Sequence, residues 1–239
     1  MSKSNFRMAA LTALLCGGVV MVAQDGVKEY PHAFPREGVK KLLENEHVTV
    51  WEVNWLRNIS QPIHRHCCDM AGVYLRYGFI NVTTPDGKVT PSKPFEVPRP
   101  YFQKAGITHK EEAVGGPDDP ERLAIMVDLK HPAAGAKTMT LSDTEPAFPR
   151  EGAKDVLDNA RVRMWDYTFE VKKPTGPHVH EHDSVEVFVT GGTLRFQTPE
   201  GLQETTTFVP GNARFVPRGR ADTEEALAGS PRVITIELK

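Results

Sequence analysis

The sequence predicts an all-β protein made of two related halves, and three observations point there. Short apolar runs alternate with polar residues at a period of two. Turn residues are plentiful, with 19 Gly and 19 Pro in 239 residues. One block of sequence also occurs twice. Hydrophobic content of 39% and charged content of 25% are those of an ordinary globular chain. The length suffices for two domains of roughly 100 residues, each with its own core. A net charge of -2 speaks against nucleic acid as the main partner, because phosphate binding needs a basic surface.

The duplication organises the rest. Ala33-Phe34-Pro35-Arg36-Glu37-Gly38 returns as Ala147-Phe148-Pro149-Arg150-Glu151-Gly152, 114 positions later. At the same offset Trp51 meets Trp165, His64 meets His178, His66 meets His180 and Asp69 meets Asp183. The register drifts only late, where Gly106 meets Gly219 and Asp128-Leu129-Lys130 meets Glu237-Leu238-Lys239. Residues 131–145 carry no apolar period and read as a linker between one domain at 24–130 and a second at 146–239. Ahead of them, Lys3 and Arg7 precede the uncharged apolar run Met8–Ala23, an order that reads as a signal peptide over 1–23. The mature protein is then expected to be periplasmic or secreted. No membrane span is expected in it, since no second long apolar segment follows.

Within each half, Val48–Trp55, Gly72–Tyr77, Val185–Val189 and Arg232–Leu238 read as strands, rich in β-branched and aromatic residues. Pro85-Asp86-Gly87 and Pro199-Glu200-Gly201 mark turns. A single helical hint follows Gly38 and is mirrored after Gly152. About a hundred residues of short strands per half suggest a jelly roll or small sandwich.

Histidines carry the chemistry. On a strand, residues i and i+2 share a face, so a His-x-His unit can present two imidazoles to one ion. His64 and His66 form such a unit, and His178, His180 and His182 form two overlapping ones. If the second strand is regular, His178, His180, His182 and Glu186 all share a face. The residues around them resemble the motifs of the cupin family. His180, His182 and Glu186 fit the first motif, His-x-His followed by Glu, whereas the repeat pairs His178 and His180 with His64 and His66. Both registrations stand at this point. The second motif, Pro-x-Gly then His, is split between the halves. Pro217-Arg218-Gly219 leads to Asp222 in place of His, and Gly106 leads to His109 without the Pro. Gly72 aligns with Glu186, so the first half lacks that carboxylate.

The resemblance covers nearly the whole chain and implies a bicupin, two tandem double-stranded β-helix (jelly-roll) barrels. It further implies a divalent transition metal (Fe, Mn, Zn, Ni or Cu), held by His64, His66 and His109 in one half and by His178, His180, His182 and Glu186 in the other. Asp222 is a further oxygen donor for that second set. A metal-dependent enzyme acting on a small oxygenated or carboxylated molecule, by dioxygenation, decarboxylation or isomerisation, is one functional expectation. A non-catalytic module binding a small molecule or metal is the alternative, and the degenerate motifs favour it. Either is compatible with a homo-oligomer. Cys67 and Cys68, adjacent in sequence, are read as strand or loop thiols rather than ligands, since by alternation only Cys68 shares the His64/His66 face. A bridge between them needs a strained geometry, neighbouring α-carbons being only ~3.8 Å apart.

Overall fold

A computed structural model describes residues 29–130 and 144–239. The expected signal segment and most of the expected linker lie outside the described residues. The first half contributes nine strands: β1 (Val39–Glu44), β2 (Val48–Asn54), β3 (His64–Arg65), β4 (Asp69–Arg76), β5 (Ile80–Thr83), β6 (Val89–Pro91), β7 (Arg99–Gln103), β8 (Thr108–Ala113) and β9 (Leu123–Leu129). The second contributes β10 (Glu145–Pro146), β11 (Lys154–Asp158), β12 (Val162–Thr168), β13 (His178–Val179), β14 (Ser184–Phe188), β15 (Gly192–Gln197), β16 (Gln203–Phe208), β17 (Ala213–Val216), β18 (Ala221–Gly229) and β19 (Arg232–Leu238). No helix occurs among the described residues, so none there is long and apolar enough to cross a membrane.

Each half is a pair of sheets closed on itself. In the first, the order β1-β2-β9-β4-β7 faces β3-β8-β5-β6; in the second, β11-β12-β19-β14-β17 faces β10-β13-β18-β15-β16. The strand orders correspond position by position, apart from the extra edge strand β10. The helical hint after each repeat block is corrected to a strand. β1 shifts register between Lys41 and Leu43, and β11 between Asp155 and Leu157. A bulge at this point interrupts the period of two, so the apolar spacing imitates a helix.

The two sheets β1-β2-β9-β4-β7 and β11-β12-β19-β14-β17 pack their outer faces against each other. Val48, Val50, Ala71, Val73, Ile125 and Val127 join Val162, Met164, Val185, Val187, Ile234 and Ile236 in one core that crosses between the halves. The alternate residues on these strands point into their own barrels: Trp51, Val53, Met70 and Met126 in one, Phe188 and Val233 in the other. These strands are therefore buried on both faces, which is why they read as nearly continuous apolar runs. Each fully buried Val, Leu, Ile or Met in such a core contributes ~1.5–3 kcal/mol relative to exposure.

Candidate metal centres

β3 and β8 pair so that His64 lies opposite His109, and His66 follows directly beyond β3. The three rings meet edge to face with centroids 5.0–5.2 Å apart, and all three are buried. Their ligand atoms lie within 4.8 Å of one another. The Nε2 atoms of His66 and His109 are 3.2 Å apart. Two donors about 2.0–2.2 Å from one ion, at angles between square and tetrahedral, are roughly 3.0–3.5 Å apart. The His64 ring is oriented from behind, Nδ1 lying 3.1 Å from the Pro62 carbonyl, so Nε2 faces the cluster, buried and without a hydrogen-bond partner.

The second half repeats this construction with one replacement. β13 and β18 pair His178 with Asp222, so Asp222 stands where His109 stands in the first half. His178 Nδ1 lies 3.0 Å from the Gly176 carbonyl, the counterpart of Pro62. His178 Nε2 is 3.3 Å from Asp222 Oδ1 and 3.7 Å from Glu224 Oε2, and His180 Nε2 is 3.9 Å from Asp222 Oδ1. His178 Nε2, His180 Nε2 and Asp222 Oδ1 are buried without hydrogen-bond partners. A buried donor set left unpaired in this way costs free energy unless a further group satisfies it. The residues His178, His180, Asp222 and Glu224 thus fit a divalent ion.

Two residues expected in this set are elsewhere. The strand is not regular: β13 ends at Val179, the chain bends at Glu181 and His182, and β14 starts only at Ser184. That bend removes His182 from the cluster and leaves its Nδ1 buried and unpaired. Glu186 does point into the barrel, but from the opposite sheet, where Arg214 Nε donates to its Oε2 at 2.5 Å. The conflict between registrations resolves in favour of the repeat, with the His178/His180 pair at the cluster.

Two carboxylates missed in the sequence lie beside the histidines instead. Glu111, two residues after His109 on β8, places Oε1 3.8 Å from His109 Nε2. Glu224, two residues after Asp222 on β18, is its counterpart. The signal was present: the late register that aligns Gly106 with Gly219 also aligns Glu111 with Glu224. Each accepts from the arginine of the repeated Phe-Pro-Arg block. Arg36 Nη2 lies 3.1 Å from Glu111 Oε2 and Arg150 Nη1 lies 2.9 Å from Glu224 Oε2. Each guanidinium also lies over its own phenylalanine, Arg36 at 5.5 Å from the Phe34 centroid and Arg150 at 4.3 Å from that of Phe148. The duplicated block therefore holds a cation against a carboxylate inside each barrel.

Burial pushes the His64, His66 and His180 imidazoles down to about 4 and lowers His109, leaving neutral rings suited to ligation. Burial alone would raise the Glu224 carboxyl, but Arg150, His178 and Arg214 overcome it and keep the group ionised. Glu111 is depressed in the same way, burial being outweighed by Arg36 and His109.

The second barrel is the more charged. Arg214 bridges Glu186 and Glu224, and Arg220 Nε donates to Asp222 Oδ2 at 2.5 Å. In the first barrel the corresponding interior is aromatic, with Arg122 lying over Tyr74, Tyr77 and Phe95. A cavity of about 520 Å³ opens beside His178 and Arg150, walled by Tyr167, Thr175 and several prolines. That volume is in the range of small-molecule sites.

No family model matches the chain. It is 42% identical over 59 residues to the β-alanine degradation protein BauB of Pseudomonas aeruginosa, a stretch that is 25% of this chain and 61% of that protein. The chain thus spans less than two thirds of that curated relative. Among solved structures, it resembles the cupin 2 conserved barrel domain protein of Leptotrichia buccalis at 12% identity and a TM-score of 0.50, covering 84% of this chain and 88% of that one. It also resembles the oxalate decarboxylase of Bacillus subtilis, a protein with Mn(II) centres, at 12% identity and a TM-score of 0.54, covering 88% of this chain and 79% of that one. At these identities the likeness is one of fold, and it extends over both halves.

Proposed function

We propose that this chain, which shares its fold over both halves with cupin-barrel proteins, binds a divalent transition metal in each barrel and acts on a small oxygenated or carboxylated molecule. The supporting observation is the convergence of buried, unpaired donor atoms: His64 Nε2 in one half, and His178 Nε2, His180 Nε2 and Asp222 Oδ1 in the other. A bound ion supplies Lewis-acid or redox chemistry at such a site. The protein's part is to orient imidazoles by backbone carbonyls, keep a carboxylate ionised beside them, and admit a ligand through the cavity at His178. Three imidazoles suit Fe, Ni, Cu or Zn, whereas two imidazoles with carboxylates suit Mn or Fe better. The Mn(II) of the B. subtilis decarboxylase is consistent with the second set.

One observation favours a non-catalytic reading of the second barrel. Arg150, Arg214 and Arg220 already neutralise Glu224, Glu186 and Asp222. A barrel balanced in this way can bind a small ligand without an ion.

Elemental analysis separates the two. Wild-type protein equilibrated with Mn, Fe, Ni, Cu or Zn and desalted should carry up to two ions per chain. His64→Ala with His66→Ala should remove one, and His178→Ala with His180→Ala the other. Metal-free wild type sinks the metal reading for both barrels, and loss of metal only with the first pair leaves the second as a ligand barrel.

We further propose that the protein is exported and works in the periplasm or outside the cell, supported by the basic-then-apolar order of residues 1–23. N-terminal sequencing of protein from the native envelope should begin near Gln24, and a retained Met1 on cytoplasmic protein overturns this.

A further inference from the structure

Two thiols stand side by side on the rim of the first barrel. Cys67 is exposed, Cys68 is half-buried, and their sulfurs are 3.1 Å apart. They occupy the bend between β3 and β4, and the residues on either side are pinned. The His66 N–H donates to the Ile107 carbonyl at 3.0 Å, the Gly106 N–H to the His66 carbonyl at 2.7 Å, and the Ala105 N–H to Asp69 Oδ1 at 2.9 Å. His32 closes the outer side, its Nε2 3.9 Å from Cys67 Sγ and 3.3 Å from Asp128 Oδ2. At the corresponding positions of the second half stand Glu181 and His182. The same bend is thus built there without sulfur, so the fold does not require the thiols.

We propose that Cys67 and Cys68 form a two-electron thiol–disulfide couple, closed by exchange with a small-molecule disulfide and reopened by thiols. The exposed Cys67 sulfur attacks one sulfur of the oxidant, forming a mixed disulfide and releasing one thiol. Cys68 then attacks the Cys67 sulfur, the Sγ–Sγ bond forms, and the second thiol leaves. The two protein thiol protons pass to the two leaving thiolates; the protein loses two electrons and the oxidant gains them. Adjacent α-carbons lie ~3.8 Å apart, whereas disulfides usually span 4.4–6.8 Å, so the bridge is strained. Strain and exposure raise the reduction potential and place such a bridge among the labile, reversible ones rather than the structural ones.

The test uses the full-length protein, equilibrated in buffers of varied reduced-to-oxidised glutathione ratio, quenched with an alkylating reagent, and read by intact mass and peptide mapping so that Cys16 is assigned separately. Oxidising ratios should protect Cys67 and Cys68 together, with a loss of about 2 Da for the two thiol hydrogens. Raising reduced glutathione should restore both thiols along the same curve. Cys67→Ser and Cys68→Ser should each form only a glutathione adduct on the remaining cysteine. The proposal is overturned if both thiols stay alkylatable at every ratio, if wild type stops at the mixed disulfide, if the sulfurs pair between molecules, or if a bridge once formed resists reduced glutathione.

Discussion

A buried imidazole is shaped by what stands behind it as much as by what it faces. In both halves the first histidine of the pair directs Nδ1 at a carbonyl two residues earlier, Pro62 or Gly176, and thereby aims Nε2 at the cluster. Such backing bonds fix ring orientation and tautomer at metal sites. Burial keeps the His64, His66 and His180 rings neutral, with a consequence for stability. Above pH 6.5 neither folded nor unfolded chain protonates His64, His66 or His180, so they leave stability level. Below it the unfolded chain takes up protons that the folded barrels refuse until about pH 4. Stability of chelator-treated protein should therefore fall from pH 6.5 toward 4.5, each pKa unit being worth about 1.4 kcal/mol. The urea midpoint across this range checks it; a constant midpoint contradicts the burial account. Added metal should flatten the decline, since an ion that binds only the folded state stabilises it.

At the scale of the element, strand pairing decides which residue supplies the carboxylate. In the second half Glu186 on β14 faces inward, yet Arg214 from the neighbouring β17 claims it. In the first half the corresponding residue is Gly72, where β4 lies close to β9. A Cβ there would meet the Ile125 carbonyl oxygen at 2.5 Å and Met126 Sδ at 2.6 Å. No side chain fits there without a shift of backbone, and in both halves the carboxylate beside the histidines comes from β8 or β18, as Glu111 or Glu224. Gly72→Ala should destabilise the protein by ~1–3 kcal/mol through overpacking, seen as a lower urea midpoint. An unchanged midpoint would show that β4 can move away from β9.

At the scale of the whole molecule, the two halves meet as two copies would across a two-fold axis. Arg161 reaches Asp69 at 2.7 Å, and at the matching positions His47 lies 3.7 Å from Asp183. Matched residues exchanging contacts is the mark of an isologous interface, here within one chain. The apolar core between the sheets makes each half a large part of the other's burial, so the halves should unfold together. Ile236→Ala, in the second half, should cost ~2–5 kcal/mol. In a Trp165→Phe background the remaining tryptophans, Trp51 and Trp55, lie in the first half. Their fluorescence transition should shift with Ile236→Ala by the same amount as the far-ultraviolet circular dichroism. A first-half transition left in place would mean that the barrels fold independently.

The amino-acid sequence by itself determined the architecture. The 114-residue repeat, the β-branched and aromatic runs of β2, β4, β14 and β19, and the histidine pairs at 64/66 and 178/180 are local patterns, enough to predict strands and to set each histidine pair at the end of one. Choosing between overlapping histidine pairs needed the bend at Glu181–Asp183, which breaks a face that alternation alone would extend to His182 and Glu186. The bulges in β1 and β11 likewise disguised strands as helix, because one extra residue shifts the period without changing the composition. Only the tertiary structure decided the donor sets and their partners. Glu111 and Glu224 reach the histidines through antiparallel pairing across more than forty residues, and Arg36 and Arg150 reach those carboxylates from the start of each half. Electrostatic complementarity between such distant residues leaves no period in the sequence; it exists once the sheets close and exclude water from the barrel.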